Sequence, residues 1–175
     1  MRRIASLTFL LTGLLLVKIP ARSVLAQAPD LSGTWKLDTE RSRVEATAGI
    51  IGLMRSGAPP TLHITQPANG SLIVESQINE SQSRIYKPGA KTSTPVVPTG
   101  TITMTSRWEG RTLVSEGTSE SVSGAPSAVK EVFSTANDTQ TLTVEITVGQ
   151  NHSTLIYTKT QTAEPCRSWP TPCKP

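Results

Sequence analysis

The residue types that carry catalytic or metal chemistry are few in this sequence and do not cluster. His63 and His152 are far apart, and neither stands in a His-x-Glu-x-His type of spacing, which would place metal ligands together on one element. A Gly-x-Ser-x-Gly turn, which exposes the nucleophile of many serine hydrolases, is also absent from the sequence. The sequence therefore predicts no catalytic residue, no metal and no cofactor. A hydrolase or isomerase is the function that it favours least.

Both cysteines lie in the C-terminal segment EPCRSWPTPCKP, as Cys166 and Cys173. Thiols that are close together in an exported chain usually pair, and no histidine or further cysteine stands nearby to complete a zinc site. We therefore expect a Cys166–Cys173 disulfide that closes a Pro-rich tail over residues 163–175.

Three glutamates each follow, by three residues, the leucine that opens a predicted strand. Because side chains alternate between the two faces of a strand, these glutamates share the face opposite the leucines. Cross-strand ion pairs on a wet face are then expected rather than two catalytic acids in a cleft. The glutamates are Glu75, Glu116 and Glu145, and the expected partners are Arg84, Lys130 and Lys159.

The N-terminus has the pattern of a secretion signal. The chain begins MRR and continues with an apolar run, Ile4–Val17, and a run of about 14 residues is short for spanning a bilayer. Small residues before Gln27 suit cleavage there, whereas the alternative cut would leave Pro29 next to the cleaved bond. The sequence predicts a signal peptide over residues 1–26, a secreted or periplasmic protein, and no stable membrane anchor after its removal.

Removal of this signal changes the charge balance. The full chain has 17 basic and 13 acidic residues, a formal charge of +4. Four of the basic residues lie in residues 1–26, so the mature chain would be close to neutral. Nucleic-acid binding normally needs a positive surplus on one face, so no nucleic-acid partner is expected, and no oligomeric state is predicted.

Alternation of apolar and polar residues predicts an all-β domain over residues 27–162. Thr61–Asn79, Thr101–Glu120 and Val129–Val148 each read as a run, a turn and a second run. The turns are Asn69-Gly70, Glu109-Gly110 and Asn137-Asp138, and further strands are expected at Thr34–Leu37, Gln82–Lys87 and Ser153–Gln161. About eight or nine antiparallel strands suit an up-and-down β-barrel, with a β-sandwich as the alternative.

Two stretches interrupt the strand pattern. Ala48–Pro60 is apolar and contains three glycines, so it reads as a short helix or loop insertion that covers the open end or packs on the wall. Pro88–Gly100 is rich in Pro, Gly and Thr and reads as a loop too broken to form a strand.

From Leu31 to Lys159 the chain resembles the lipocalin-like secreted domains of soil bacteria, a largely uncharacterised group of calycin type. The likeness is carried by LSGTWKL, LHITQ with NGSLIV, SRWEGRTLVSEG, and TLTVEI with LIYTK. In lipocalins a Gly-x-Trp on the first strand closes the barrel, and a basic residue near the last strand packs across the Trp. The resemblance thus assigns barrel closure to Gly33, Trp35 and Lys159, although the basic residue is usually Arg, and it favours Trp35 as a core plug over a ligand contact.

The resemblance also implies one small lipophilic ligand inside the barrel. The interior residues that would contact such a ligand are predicted to be Arg84, Tyr86, Met104, Trp108, Phe133 and Tyr157. The alternative is that these side chains fill the interior of a structural, protein-interaction or inhibitor module.

Overall fold

The described residues form β-strands throughout, because their apolar side chains recur with a period of two. The computed structural model describes residues 28–45, 58–76, 83–95, 100–121 and 124–161. Within these ranges no helix is long and apolar enough to cross a membrane. The strands are β1 Gly33–Leu37, β2 Thr61–Thr65, β3 Leu72–Ser76, β4 Ser83–Tyr86, β5 Lys91–Pro95, β6 Gly100–Glu109, β7 Thr112–Ser121, β8 Ser127–Thr135, β9 Thr141–Val148 and β10 Asn151–Gln161.

The ten strands form one antiparallel sheet that curls into a nearly closed barrel. Their order is β4-β3-β2-β1-β10-β9-β8-β7-β6-β5, so every pair of sheet neighbours is also consecutive in the chain except β1 and β10. The two edge strands, β4 and β5, are consecutive in the chain and meet at a seam. There Gly89 N donates to Ser106 O at 2.8 Å, beside an isolated bridge from Pro88 to Ser106. The predicted all-β barrel is confirmed, with ten strands rather than eight or nine.

One predicted loop is in fact a strand. β5 lies inside the Pro/Gly/Thr-rich stretch that we expected to be irregular, and it pairs with β6 from Lys91 opposite Thr105 to Pro95 opposite Thr101. β5 is an edge strand, so the proline at its last position does not interrupt the hydrogen bonds between two central strands. Gly89 supplies the turn before it at φ 78°.

The three predicted hairpins are confirmed as β2–β3, β6–β7 and β8–β9. Gly70 and Gly110 take positive φ angles of 74° and 60° in the first two turns, a conformation that glycine adopts without steric strain. The third turn instead places Thr139 at φ 55°. A fourth tight turn, at Gly149, joins β9 to β10, which begins at Asn151 and not at the predicted Ser153.

The barrel has two distinct ends. The turns after β2, β4, β6 and β8 lie at one end, together with the start of β1, and we call it the closed end. The β9–β10 turn lies at the other, which we call the mouth end. β1 to β4 have only four or five residues each and line the closed half, whereas β6 to β10 have eight to eleven and extend to the mouth.

Three predictions concern residues outside the described ranges. They are the signal peptide over residues 1–26, most of the helix or lid in Ala48–Pro60, and the disulfide between Cys166 and Cys173. All three remain predictions. Of the second segment the structure describes Ala58 to Pro60, where Pro59 is buried and Pro60 O accepts a hydrogen bond from Leu37 N at 2.9 Å.

Candidate functional site

The strand register stacks the interior side chains in levels, and one level is polar. Ser106 on β6 lies opposite Ser115 on β7, which lies opposite Glu131 on β8. All three are fully buried, and their parity directs them into the barrel. Arg84 and Tyr86 reach the same level from β4, at 2% and 1% exposure. We call these five residues the polar layer.

An ion pair organises the polar layer. Arg84 Nη2 lies 3.2 Å from Glu131 Oε2, and the two side chains are 3% and 0% exposed. The Tyr86 hydroxyl donates to the same Oε2 at 2.8 Å, and the Arg84 guanidinium lies 5.1 Å from the centre of the Tyr86 ring. The hydroxyls of Ser106 and Ser115 are hydrogen-bonded to each other at 2.9 Å. Glu131 Oε2 thus receives both donors, and Oε1 receives none from the described residues.

Burial and charge act in opposite directions on these groups. Desolvation is the largest single effect and lowers the pKa of Arg84, but Glu131 and Tyr86 together outweigh it and the pKa is raised overall. Desolvation is also the largest effect on Tyr86 and raises its pKa well above the ordinary value, while Arg84 opposes the shift. Arg84 is therefore cationic and Tyr86 a neutral donor at physiological pH, as their contacts to Glu131 require.

Toward the closed end, the interior is packed with apolar side chains. Phe133 is fully buried and meets the Tyr86 ring edge-on, with centroids 5.0 Å apart at 67°. Tyr157 is fully buried, and its hydroxyl donates to Pro59 O at 3.0 Å. Burial raises the pKa of Tyr157. The remaining fully buried members of this cluster are Leu31, Trp35, Leu62, Leu72, Val74, Leu113, Leu142, Val144, Ile146 and Leu155.

Toward the mouth, the interior is of mixed apolar and polar character. Ile102, Met104 and Val129 form a second, smaller apolar cluster on the mouth side of the polar layer. Ser119 and Ser127 lie in register with Ile102, so they face the interior, yet both retain partial exposure. We call these five residues the cup. Since the residues point inward, the exposure of the two serines faces the mouth.

Met104 is the cup residue that contacts the polar layer. Its sulfur contacts Nη2 of Arg84, and its side chain is 2% exposed. The thioether is flexible and polarisable. Met104 therefore forms a movable floor of the cup, over the ion pair.

The residues assigned to barrel closure lie together near the closed end. Trp35 is fully buried, and its Nε1 donates to Leu31 O at 2.9 Å. Lys159, opposite Trp35 in the register, places its Nζ 5.1 Å from the centre of the Trp35 ring. Gly33 precedes Trp35 on β1 and is buried. Lys159 thus makes the cation–π contact that the resemblance expects of a basic residue.

The six predicted ligand contacts divide between two places. Arg84, Tyr86 and Met104 come together at the polar layer, and Phe133 packs beneath Tyr86. Trp108 is half-buried against the large cluster and donates from Nε1 to Gly70 O at 3.2 Å, so it lies at the closed end. The sixth residue, Tyr157, also belongs to that cluster.

Sequence reasoning missed Glu131, the residue that organises the polar layer. A signal was present, because Val129, Glu131 and Phe133 share one parity and the two apolar residues predict an inward face. One predicted pairing is also wrong. Arg84 lies opposite Val74 and pairs with the inward Glu131, and Glu75, which we expected on the wet face, is buried at 4% exposure.

The prediction of an ion pair on the outer face is confirmed for Glu116. Glu116 Oε1 lies 2.8 Å from Lys130 Nζ, and Glu116 Oε2 lies 2.8 Å from Arg107 Nη1. These bonds, that to Lys130 first, hold the pKa of Glu116 below its ordinary value. All three side chains are about half exposed, so the cluster is a solvated outer-face network.

Solved structures identify the type of barrel. The chain is similar to the REP1-NXSQ fatty acid transporter, with a TM-score of 0.55 and 15% identity over 75% of this chain and 97% of that one. It is also similar to fatty-acid-binding protein 1 of Echinococcus granulosus (TM-score 0.53, 13% identity, 74% of this chain and 97% of that one). Apo lipid binding protein 8 of Caenorhabditis elegans gives a TM-score of 0.54 at 15% identity, over 74% and 94%.

The chain therefore has the antiparallel β-barrel fold of these fatty-acid- and lipid-binding structures. No protein-family model matches the chain, and no curated protein is similar to it in sequence. At these low identities the structural likeness defines the architecture, and any function must be argued from the interior of this barrel.

Proposed function

We propose that this chain binds a small lipophilic molecule inside its barrel, in the cup. The observation that carries the proposal is the contrast between the two halves of the interior. The closed half is filled by fully buried side chains, whereas at the mouth the inward-facing Ser119 and Ser127 keep partial exposure above the buried Ile102, Met104 and Val129. A concave, mostly apolar space with a few polar groups is the usual form of a small-molecule site.

The names of the similar structures support the same class of ligand. Two are called fatty-acid carriers or binders and the third a lipid binding protein. Their barrels share this architecture, and a barrel of about this size has an interior that can hold one small ligand.

Titration with an apolar fluorescent probe tests the proposal. Ser119→Trp puts a large ring into the cup, so we expect it to weaken probe binding by at least about tenfold. Thr118→Trp is the matched control, because Thr118 is the adjacent residue on β7 and is exposed on the outer face. Equal probe binding by both variants would contradict the location, and no binding by the parent chain would contradict the function.

A second candidate function is a structural or interaction module with a filled barrel. The fully buried cluster of the closed half favours it. Native mass spectrometry of the protein purified from its own host separates the two, because a carrier retains a small-molecule mass that denaturation releases, and a filled module does not.

We further propose that the protein is exported and belongs to the secreted lipocalin-like group. The support is the signal pattern of residues 1–26 and the Gly33-x-Trp35 motif. N-terminal sequencing of the protein from the extracellular or periplasmic fraction tests export, and a start at Gln27 is the expected result.

A further inference from the structure

We infer that the ligand's polar group is an uncharged hydrogen-bond donor, such as an alcohol, that binds Oε1 of Glu131. The inference rests on the proposed function and adds the chemical class of the ligand. It begins from the use of the two carboxylate oxygens. Oε2 accepts from Arg84 and Tyr86, whereas Oε1 is buried and has no hydrogen-bond partner among the described residues.

A buried carboxylate oxygen without a donor is unfavourable, because desolvation is not compensated by a new bond. The neighbouring hydroxyls do not supply that donor. The Ser115 hydroxyl, opposite Glu131 on β7, is hydrogen-bonded to the Ser106 hydroxyl at 2.9 Å and makes no hydrogen bond to Oε1. Tyr86 donates its one proton to Oε2. A donor to Oε1 is therefore what a ligand can add.

The charge of the layer selects the kind of donor. Arg84 and Glu131 already neutralise each other at 3.2 Å, with almost no exposure to solvent. A carboxylate ligand would bring a second negative charge and would compete with Glu131 for Arg84. A hydroxyl brings a donor and no net charge, so it completes the layer without breaking the ion pair.

The position of Met104 gives the ligand a route to Oε1. Met104 covers the ion pair from the cup side and contacts Arg84. Rotation of this flexible side chain opens the floor of the cup without moving a strand. The ligand's chain then lies along Ile102 and Val129, with its hydroxyl directed to the polar layer.

Competition against an apolar fluorescent probe tests the inference with three ligands of one chain length: a straight-chain alcohol, its methyl ether and the carboxylic acid. An added hydrogen bond to a charged group is worth about 1.5 kcal/mol or more, roughly tenfold in affinity. We expect the alcohol to bind about tenfold more tightly than either the ether, which lacks the donor, or the acid, which adds a charge.

Glu131→Gln should reverse the preference. The variant leaves Arg84 charged without its carboxylate, so the acid should gain about tenfold and the alcohol should lose a similar factor. Glu116→Gln is the control, because it removes a carboxylate from the outer face and should leave the ranking unchanged. If Glu131→Gln does not fold, Arg84→Met with Glu131→Leu replaces the pair by apolar groups and should abolish the alcohol's advantage over the ether.

The outcomes separate the inference from the proposed function. If the probe and all three ligands bind and the acid or the ether equals the alcohol, the carrier function stands and the inference is wrong. If neither the probe nor any of the ligands binds, the carrier function itself is wrong.

Discussion

At the scale of single residues, Trp35 is the largest side chain that is fully buried in the described barrel. Its ring packs in the large cluster, its Nε1 is bonded to Leu31 O, and Lys159 covers its face. Each contact is internal to the closed end and lies away from the cup. The geometry fits a buried structural residue that closes the barrel better than a ligand contact.

We predict that Trp35→Ala lowers the free energy of unfolding by about 3–5 kcal/mol, through lost burial and the cavity that remains. Trp108→Ala should lower it less, because Trp108 is only half-buried. Urea unfolding measures both, and probe titration should show little change in either. If Trp35→Ala unfolds like the parent chain while probe binding is lost, Trp35 belongs to the ligand site.

A second residue-scale prediction concerns acid stability. Glu116 has an ordinary pKa of 4.5 that Lys130 and Arg107 lower in the folded protein. The stabilisation is therefore fully present above pH 4.5 and is lost as the pH falls through the lower, folded-state pKa. Because the side chain is 41% exposed, the Glu116–Lys130 pair is worth less than about 1 kcal/mol.

The measurement is the unfolding free energy of Glu116→Gln and the parent chain as a function of pH. The difference should be constant at neutral pH and should shrink in the acid range below pH 4.5. Salt should reduce it, because the pair is exposed. A difference that grows on acidification would contradict the assignment.

At the scale of elements, the β6–β7 hairpin depends on a glycine in mid-strand. A Cβ on Gly117 would lie 1.9 Å from Thr103 O and 2.8 Å from Met104 Cα. Both are backbone atoms of the neighbouring strand, so no side-chain rotation can relieve the contact. The two strands approach closely here because position 117 has no side chain.

We predict that Gly117→Ala destabilises the protein by at least about 3 kcal/mol, the upper range for overpacking. Gly110→Ala is the control in the same hairpin. Nothing lies within 4 Å of its Cβ, and only its φ of 60° opposes the change, at about 1–2 kcal/mol. Thermal unfolding of the two variants compares their losses of stability. An equal loss would mean that β6 and β7 can move apart at Gly117 to accommodate a Cβ.

The same elements show what the sequence could predict. The hairpins followed from local alternation and from turns such as Asn69-Gly70, both of which a single strand pair determines. β5 did not, because its pairing with β6 overrides a composition of Thr and Pro that is typical of loops. The ion pair of Arg84 with Glu131 could not be predicted either, since it joins β4 and β8, which are distant in the sheet order.

At the scale of the whole molecule, the two ends of the chain carry predictions that one mass measurement tests. We expect the exported protein to begin at Gln27 and to contain a Cys166–Cys173 disulfide. By loop entropy this bridge, which closes a loop of about eight residues, stabilises by only about 2.5 kcal/mol. Intact mass before and after reduction and alkylation gives both answers. Two thiols that alkylate without reduction would exclude the bridge.

The pairing of β1 with β10 also sets when the protein can fold. Thr34 and Thr160, which are joined across that pairing by a hydrogen bond, lie 126 residues apart in sequence. During synthesis the first four strands therefore have no partner on that side until the last strand has left the ribosome. Contacts of such sequence separation form slowly. The nascent chain consequently stays incompletely folded until its translation is nearly complete. It can therefore still cross a membrane as an unfolded chain, as the proposed export requires.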